Sequence, residues 1–115
     1  MTMRDQETYL LDILEAIEDI RKFTKDMRSE DFEKDRKTIY AVVRAVEIIG
    51  EATKNLSGTL MHKYSGVPWK KMAGMRNRLV HEYFGIDLEI LWYVVKHDAP
   101  SLEPQIRQIL QETKE

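Results

Sequence analysis

The first 49 residues of the chain contain neither glycine nor proline. All five glycines and all three prolines lie at position 50 or later. Because these residues are the strongest breakers of helices, their absence permits long, uninterrupted helices in the N-terminal half. No useful run of alternating apolar and polar residues is present, so the sequence does not predict a sheet.

Apolar residues that recur at alternating spacings of three and four predict two N-terminal helices, each with one buried face. The first helix places on this face Leu10, Ile13, Ile17, Ile20, Thr24 and Met27. The second helix, with Ser29 as its predicted N-cap, places there Ile39, Val42, Val46, Ile49, Thr53 and Leu56. Gly50 lies within the second pattern, and a helical glycine costs about 1 kcal/mol relative to alanine. We therefore expect another helix to approach closely at Gly50.

Glycine and proline divide the second half of the chain into shorter elements. Residues 57–66 are predicted to form a connector with one helical turn, followed by a third helix from about Pro68 to Phe84. Gly85 is expected just after the end of that helix, and Asp87 as the N-cap of a fourth.

Pro100 and Pro104 are expected to break or restart the chain before a last short helix. These elements predict an all-α fold, an antiparallel bundle of four to five helices. The length of 115 residues fits a single domain over residues 1–115.

Composition excludes several classes of protein. Cysteine is absent, which excludes disulfides and cysteine-based metal or redox sites and suits a cytoplasmic location. No segment is apolar enough to suggest a membrane helix or a signal peptide. The net charge of −2 argues against loose, non-specific coating of RNA.

The segment from Arg76 to Phe84 combines ionisable and apolar residues in a way that suits a cleft or an interface. On a continuous helix, Arg76, Asn77, His81 and Tyr83 would share one arc with Val80 and Phe84. Histidine can act as a general base near neutral pH, and the arginine guanidinium can bind phosphate oxygens. The pair could cleave RNA by removing a proton from a ribose 2′-hydroxyl and stabilising charge on the attacked phosphate. An ordinary surface or core role for a lone helical histidine is the competing interpretation.

The pattern Arg76-x4-His81-x-Tyr83, with Asn77 after the arginine, resembles the motif of HEPN-domain ribonucleases, specifically the HepT-like toxins. Residues 46–52, 68–72, 83–87 and 91–92 also resemble the segments that surround this motif in the family. The resemblance implies a compact all-α homodimer that acts as a metal-independent endoribonuclease toxin of a type II toxin–antitoxin system. It places Arg76 and His81 in catalysis, and it gives Asn77 a role in orienting the site.

The resemblance also implies a partner. Tyr83 matches the tyrosine that an MntA-type nucleotidyltransferase antitoxin modifies with AMP, and such a transfer would place a phosphate beside Arg76. ATP and Mg²⁺ would be required by that antitoxin, whereas this chain is expected to need no cofactor and no metal. The substrate implied is RNA, with tRNA as one candidate.

Other residues are candidates for supporting roles. Glu51 follows Gly50 and could pair with Arg76 or Asn77, although a helical glutamate is usually solvated. The stretch from Ala52 to His81 contains six lysines and arginines and no acidic residue, which predicts a phosphate-binding rim. Within this stretch, the candidates for phosphate contacts are Lys70, Lys71 and Arg78.

Two tryptophans and two histidines outside the motif are predicted to have no role in the functional site. Trp69 and Trp92 are expected to anchor the core, and His62 and His97 to lie on the surface. The alternative function for the whole chain is a non-catalytic helical docking partner of a nucleotidyltransferase, in which Tyr83 serves only as a contact or a modified residue.

Overall fold

A computed structural model describes the backbone of residues 3–81 and 85–114. In this part of the chain the helices are α1 (Met3–Phe23), α2 (Ser29–Lys34), α3 (Arg36–Lys54), α4 (Gly58–Lys63), α5 (Trp69–Ala73), α6 (Met75–Leu79), α7 (Leu88–Tyr93) and α8 (Ala99–Lys114). A π-helical segment, Val94–Asp98, joins α7 to α8, and a short hairpin pairs β1 (Val80–His81) with β2 (Gly85–Ile86). The predicted all-α class is confirmed, although the described helices are more numerous than predicted and two of the predicted helices are divided into shorter ones.

The two predicted apolar faces form the core. Helix α1 packs against both α3 and α8, and the face residues of α1 and α3 are buried. Thr24 and Met27 lie beyond the end of α1, where Thr24 is buried and Met27 packs against the core. Because burial of a large aliphatic side chain contributes about 1.5–3 kcal/mol, these faces supply much of the drive for folding. Among the described residues, no helix is both long and apolar enough to cross a membrane.

The second predicted helix is divided at Asp35. Ser29 begins α2 rather than capping it, and the residue at the cap position is Arg28. The carboxylate of Asp35 accepts a hydrogen bond from the backbone N–H of Thr38 at 3.0 Å and thereby caps α3. This bond lowers the pKa of Asp35 below its ordinary value because it stabilises the ionised carboxylate. A capping aspartate thus interrupts the predicted helix and starts α3, although no glycine or proline is present there.

The prediction of one continuous third helix is also wrong, because two short helices and a strand occupy that segment. Gly74 ends α5, α6 ends at Leu79, and Val80 and Ile86 face each other across the hairpin. Gly85, expected after a helix end, instead begins β2; its φ of +80° is a backbone conformation that residues with a Cβ rarely adopt. Pairing between β1 and β2, together with the strand preference of β-branched residues such as Val80, replaces the predicted helix at Val80 and His81. The rest of that prediction, residues 82–84, lies outside the described residues.

The C-terminal region is helical without interruption, and its last helix is longer than predicted. α7, the π-helical segment and α8 follow one another from Leu88 to Lys114, and Asp87 caps α7 as predicted. Pro104 lies inside α8, although an internal proline costs about 3 kcal/mol. The cost is offset by burial against α1, since four residues along this helix are almost fully buried: Ala99, Leu102, Ile106 and Ile109.

The close approach expected at Gly50 is present. A Cβ atom built on Gly50 would lie 3.3 Å from the carbonyl oxygen of Ala73, a backbone atom of α5. We expect Gly50→Val to lower the free energy of unfolding by about 1–3 kcal/mol because its methyl groups would force α3 and α5 apart. Gly58→Val is the matched control, since nothing lies within 4 Å of the corresponding position. Equal urea midpoints for the two variants would contradict a tight contact at Gly50.

Candidate active site

A polar cleft lies where α3 faces α5 and α6. Its volume is about 270 Å³. The residues that line it, here called the α3–α6 cleft, are Arg44, Glu47, Gly50, Glu51, Lys54, Ala73, Arg76 and Asn77. Three of the predicted site residues therefore share one cleft: Arg76, Asn77 and Glu51.

The local sequence explains why Arg76 and Asn77 face outward. Gly74 ends α5, and its carbonyl accepts a hydrogen bond from the backbone N–H of Asn77 at 3.1 Å, which fixes the start of α6. Met75 and Leu79 are fully buried and anchor one side of α6 in the core. Residues 76–78 are consequently exposed on the opposite side, with Arg76 and Asn77 at the cleft.

Arg76 is held from across the cleft by Glu47 of α3. The Nε atom of Arg76 donates to Oε2 of Glu47 at 3.2 Å. The two side chains are 51% and 32% exposed, so the pair adds little to global stability. The ion pair instead orients Arg76. Because Glu47 accepts from Nε, the two terminal Nη groups of the guanidinium can face a phosphate.

Glu47 is the site residue that sequence reasoning missed. The sequence favoured Glu51, which lines the same cleft but forms no ion pair within the described residues. The two glutamates are four residues apart in α3 and so lie on one helical face. The spacing could have identified Glu47 as a second candidate partner of Arg76. Which of the two glutamates forms the ion pair depends on how α3 packs against α6.

The two remaining motif residues are only partly covered by the structure. The backbone of His81 lies in β1, opposite Gly85, and its side chain lies outside the described residues. Tyr83 and Phe84 also lie outside them. The arc predicted for a continuous helix is wrong for Val80 and His81, because both belong to the hairpin. The Cα atoms of Arg76 and His81 are nevertheless at most roughly 13 Å apart, given the helical turn and two extended residues between them.

The three predicted phosphate contacts do not surround this cleft. Lys71 Nζ donates to Oδ1 of Asp98 at 3.0 Å, and Arg78 lies 3.9 Å from Oδ2 of the same residue. Asp98 is 8% exposed and ends the π-helical segment. Lys71 and Arg78 therefore compensate a buried carboxylate, whereas Lys70 is exposed in a separate groove beside α4. The basic stretch consequently divides among several surfaces and does not form one rim.

The aromatic residues outside the motif take their predicted places. Trp69 is buried, and Trp92 packs against Phe32 with a ring separation of 5.1 Å. His62 and His97 are exposed. Among the side chains described, no group of three or more histidine or acidic residues could hold a metal ion.

Comparison with known proteins identifies the family. The model of the ribonuclease HepT-like family matches residues 13–109. A Thermococcus cleftensis protein named "Probable ribonuclease HepT" is 47% identical over 106 residues, which cover 92% of this chain and 96% of that protein. A Caldanaerobacter subterraneus protein named "Putative RNase TTE0752" is 45% identical over 112 residues, which cover 97% and 100% of the two chains.

No solved structure matches this chain. The chain belongs to the HepT-like ribonuclease family, as its motif and flanking segments predict. The predicted enzyme class, an endoribonuclease, agrees with this membership.

Proposed function

We propose that this chain is the endoribonuclease toxin of a type II toxin–antitoxin system and cleaves RNA without a metal ion. The observation that carries the proposal is the position of Arg76, whose guanidinium is oriented by Glu47 and whose two Nη groups, at a solvent-accessible cleft, have no partner among the described residues. A phosphate of RNA placed there would receive charge-assisted hydrogen bonds. Asn77 adds a neutral polar group to the same cleft.

The proposed reaction uses His81 as the general base. Its imidazole removes the proton of a ribose 2′-hydroxyl, and the resulting oxygen attacks the adjacent phosphorus. The bond to the 5′-oxygen of the next nucleotide then breaks, that oxygen takes up a proton, and a 2′,3′-cyclic phosphate remains. Arg76 stabilises the negative charge on the phosphate oxygens as it develops.

A homodimer would complete this chemistry. One histidine cannot easily remove one proton and supply another in the same turnover, but a two-fold axis brings a second copy to the same cleft. Light scattering on the purified chain tests this part of the proposal, and a monomer at micromolar concentration would count against it.

We expect His81→Ala to lower RNA cleavage in the presence of a chelator by about 10²-fold or more, since a positioned general base contributes about 10²–10⁴-fold. The measurement is the initial rate on several RNA classes, including tRNA. His97→Ala is the matched control, because His97 is exposed in the π-helical segment and lies at neither the α3–α6 cleft nor any other proposed RNA contact. If wild type and His81→Ala give the same background rate, the chain is not a nuclease, and a docking role beside a nucleotidyltransferase becomes the better account.

Glu47 and Glu51 provide a second test of the site. We expect Glu47→Gln to lower kcat about tenfold because Arg76 loses its charged partner, whereas Glu51→Gln should change kcat less than threefold. Both variants should unfold within about 0.5 kcal/mol of wild type, since the pair is half exposed. A larger loss in Glu51→Gln than in Glu47→Gln would contradict the assigned pairing.

We propose further that a nucleotidyltransferase antitoxin of the MntA type neutralises this chain by transferring AMP from ATP to Tyr83, with Mg²⁺ at the antitoxin's own site. The tyrosine oxygen would attack the α-phosphorus and pyrophosphate would leave. The added phosphate would then compete with RNA for Arg76.

The modification is tested by intact-mass spectrometry after incubation with the purified antitoxin, ATP and Mg²⁺. We expect the wild-type chain to gain the mass of one AMP and Tyr83→Phe to gain none. Tyr93→Phe is the matched control, because Tyr93 is an exposed tyrosine in α7. Modification of Tyr83→Phe to the wild-type extent would place the acceptor elsewhere.

A further inference from the structure

A second concave surface lies beside α4 and α5, outside the α3–α6 cleft. It is shallow and wide open to solvent, with a volume of about 820 Å³, so it suits an extended ligand rather than an enclosed small molecule. We call it the α4–α5 groove, and its lining residues are Gly58, Met61, His62, Ser65, Val67, Pro68, Trp69, Lys70 and Lys71.

The floor of this groove is apolar and held in a fixed shape. Val67 and Trp69 are each 8% exposed, and Met61 is half-buried against the core. The indole Nε1 of Trp69 donates to the carbonyl oxygens of Met61 at 3.1 Å and Tyr64 at 3.0 Å. These bonds tie the end of α4 to the start of α5, so the floor is preformed rather than created by a ligand.

The rim of the groove is basic, and its charge comes mainly from Lys70, which has no acidic partner among the described residues. His62 and Lys70 are exposed, and Lys71 is 44% exposed even though it pairs with Asp98. Within the part of the chain that the structure describes, no acidic side chain lines the groove, and the sequence from Ala52 to His81 contains none. An apolar floor below a positive rim is complementary to a single-stranded nucleic acid, whose bases can lie on apolar surface while its phosphates meet cations.

Helix α5 contributes a residue to the α3–α6 cleft as well as to the groove. Lys70 lines the groove, and Ala73, three residues later in the same helix, lines the α3–α6 cleft. Residues three apart lie on one face of a helix and about 4.5 Å apart along its axis. An RNA strand that leaves the cleft beside Ala73 would therefore pass close to Lys70.

We propose that the α4–α5 groove binds a single-stranded segment of the RNA substrate a few nucleotides from the cleaved bond. Lys70 and His62 contact its phosphates, and Met61, Val67 and Trp69 support its bases. The inference rests on the proposed function, since it extends the substrate outward from Arg76. It assigns to this groove the recognition of unpaired RNA, which is separate from the chemistry of the cleft.

The test measures binding without cleavage. All proteins carry His81→Ala, and the probe is a fluorescein-labelled oligouridine followed by fluorescence anisotropy over a range of salt concentrations. We expect Lys70→Glu to raise Kd about tenfold and to lower the slope of log K against log salt by about 1. Met61→Ser should raise Kd several-fold with an unchanged salt slope, because it removes only apolar floor. Lys22→Glu, on the exposed side of α1, is the charge-matched control and should leave both quantities unchanged.

Three outcomes would overturn the proposal. These are no detectable oligouridine binding, an unchanged Kd and salt slope in Lys70→Glu, and an equal effect of Lys22→Glu. A Lys70→Glu protein that keeps its RNA affinity but no longer binds the nucleotidyltransferase would also overturn it and would make the groove a protein interface. Cleavage by wild type is scored in a separate assay, so a failure of the proposed function is distinguishable from a failure of the groove.

Discussion

The candidate site depends on the close contact between α3 and α5 at Gly50. A Cβ atom at this position would lie 3.3 Å from the carbonyl oxygen of Ala73, so a larger side chain would require the two helices to move apart. The contact places the face of α3 that carries Glu47 opposite the start of α6, where Arg76 emerges. The close contact at Gly50 therefore sets the distance between the Glu47 carboxylate and the Arg76 guanidinium.

The basic residues between Ala52 and His81 lie on different surfaces, and they differ in whether they have an acidic partner. Arg76 pairs with Glu47 at the cleft, Lys71 and Arg78 compensate the buried Asp98, and Lys70 remains exposed in the α4–α5 groove. A run of positive charge in the sequence therefore gives three surfaces with different chemistry. The net charge of −2 describes none of them, because binding depends on the charges that share one surface.

Much of the fold was predictable from the apolar pattern, and the errors have one kind of cause. The buried faces of α1 and α3 follow from spacings of three and four, since these record which side of a helix meets the core. The hairpin at Val80 and the continuous helix through Pro104 were not predictable in this way. Both are set by contacts that helical spacing does not record: strand pairing between β1 and β2 in the first case, and burial against α1 in the second. Such contacts can outweigh local helix preference.

The sequence by itself determined the helical class, the family and the motif that contains Arg76, Asn77, His81 and Tyr83, because periodicity and motif spacing are properties of the chain alone. Only the tertiary structure decided that Glu47 rather than Glu51 holds Arg76, and that Lys71 and Arg78 belong to Asp98. An ion pair requires two atoms to meet within a few ångströms. The packing of helices distant in sequence sets that separation, and no local pattern records it.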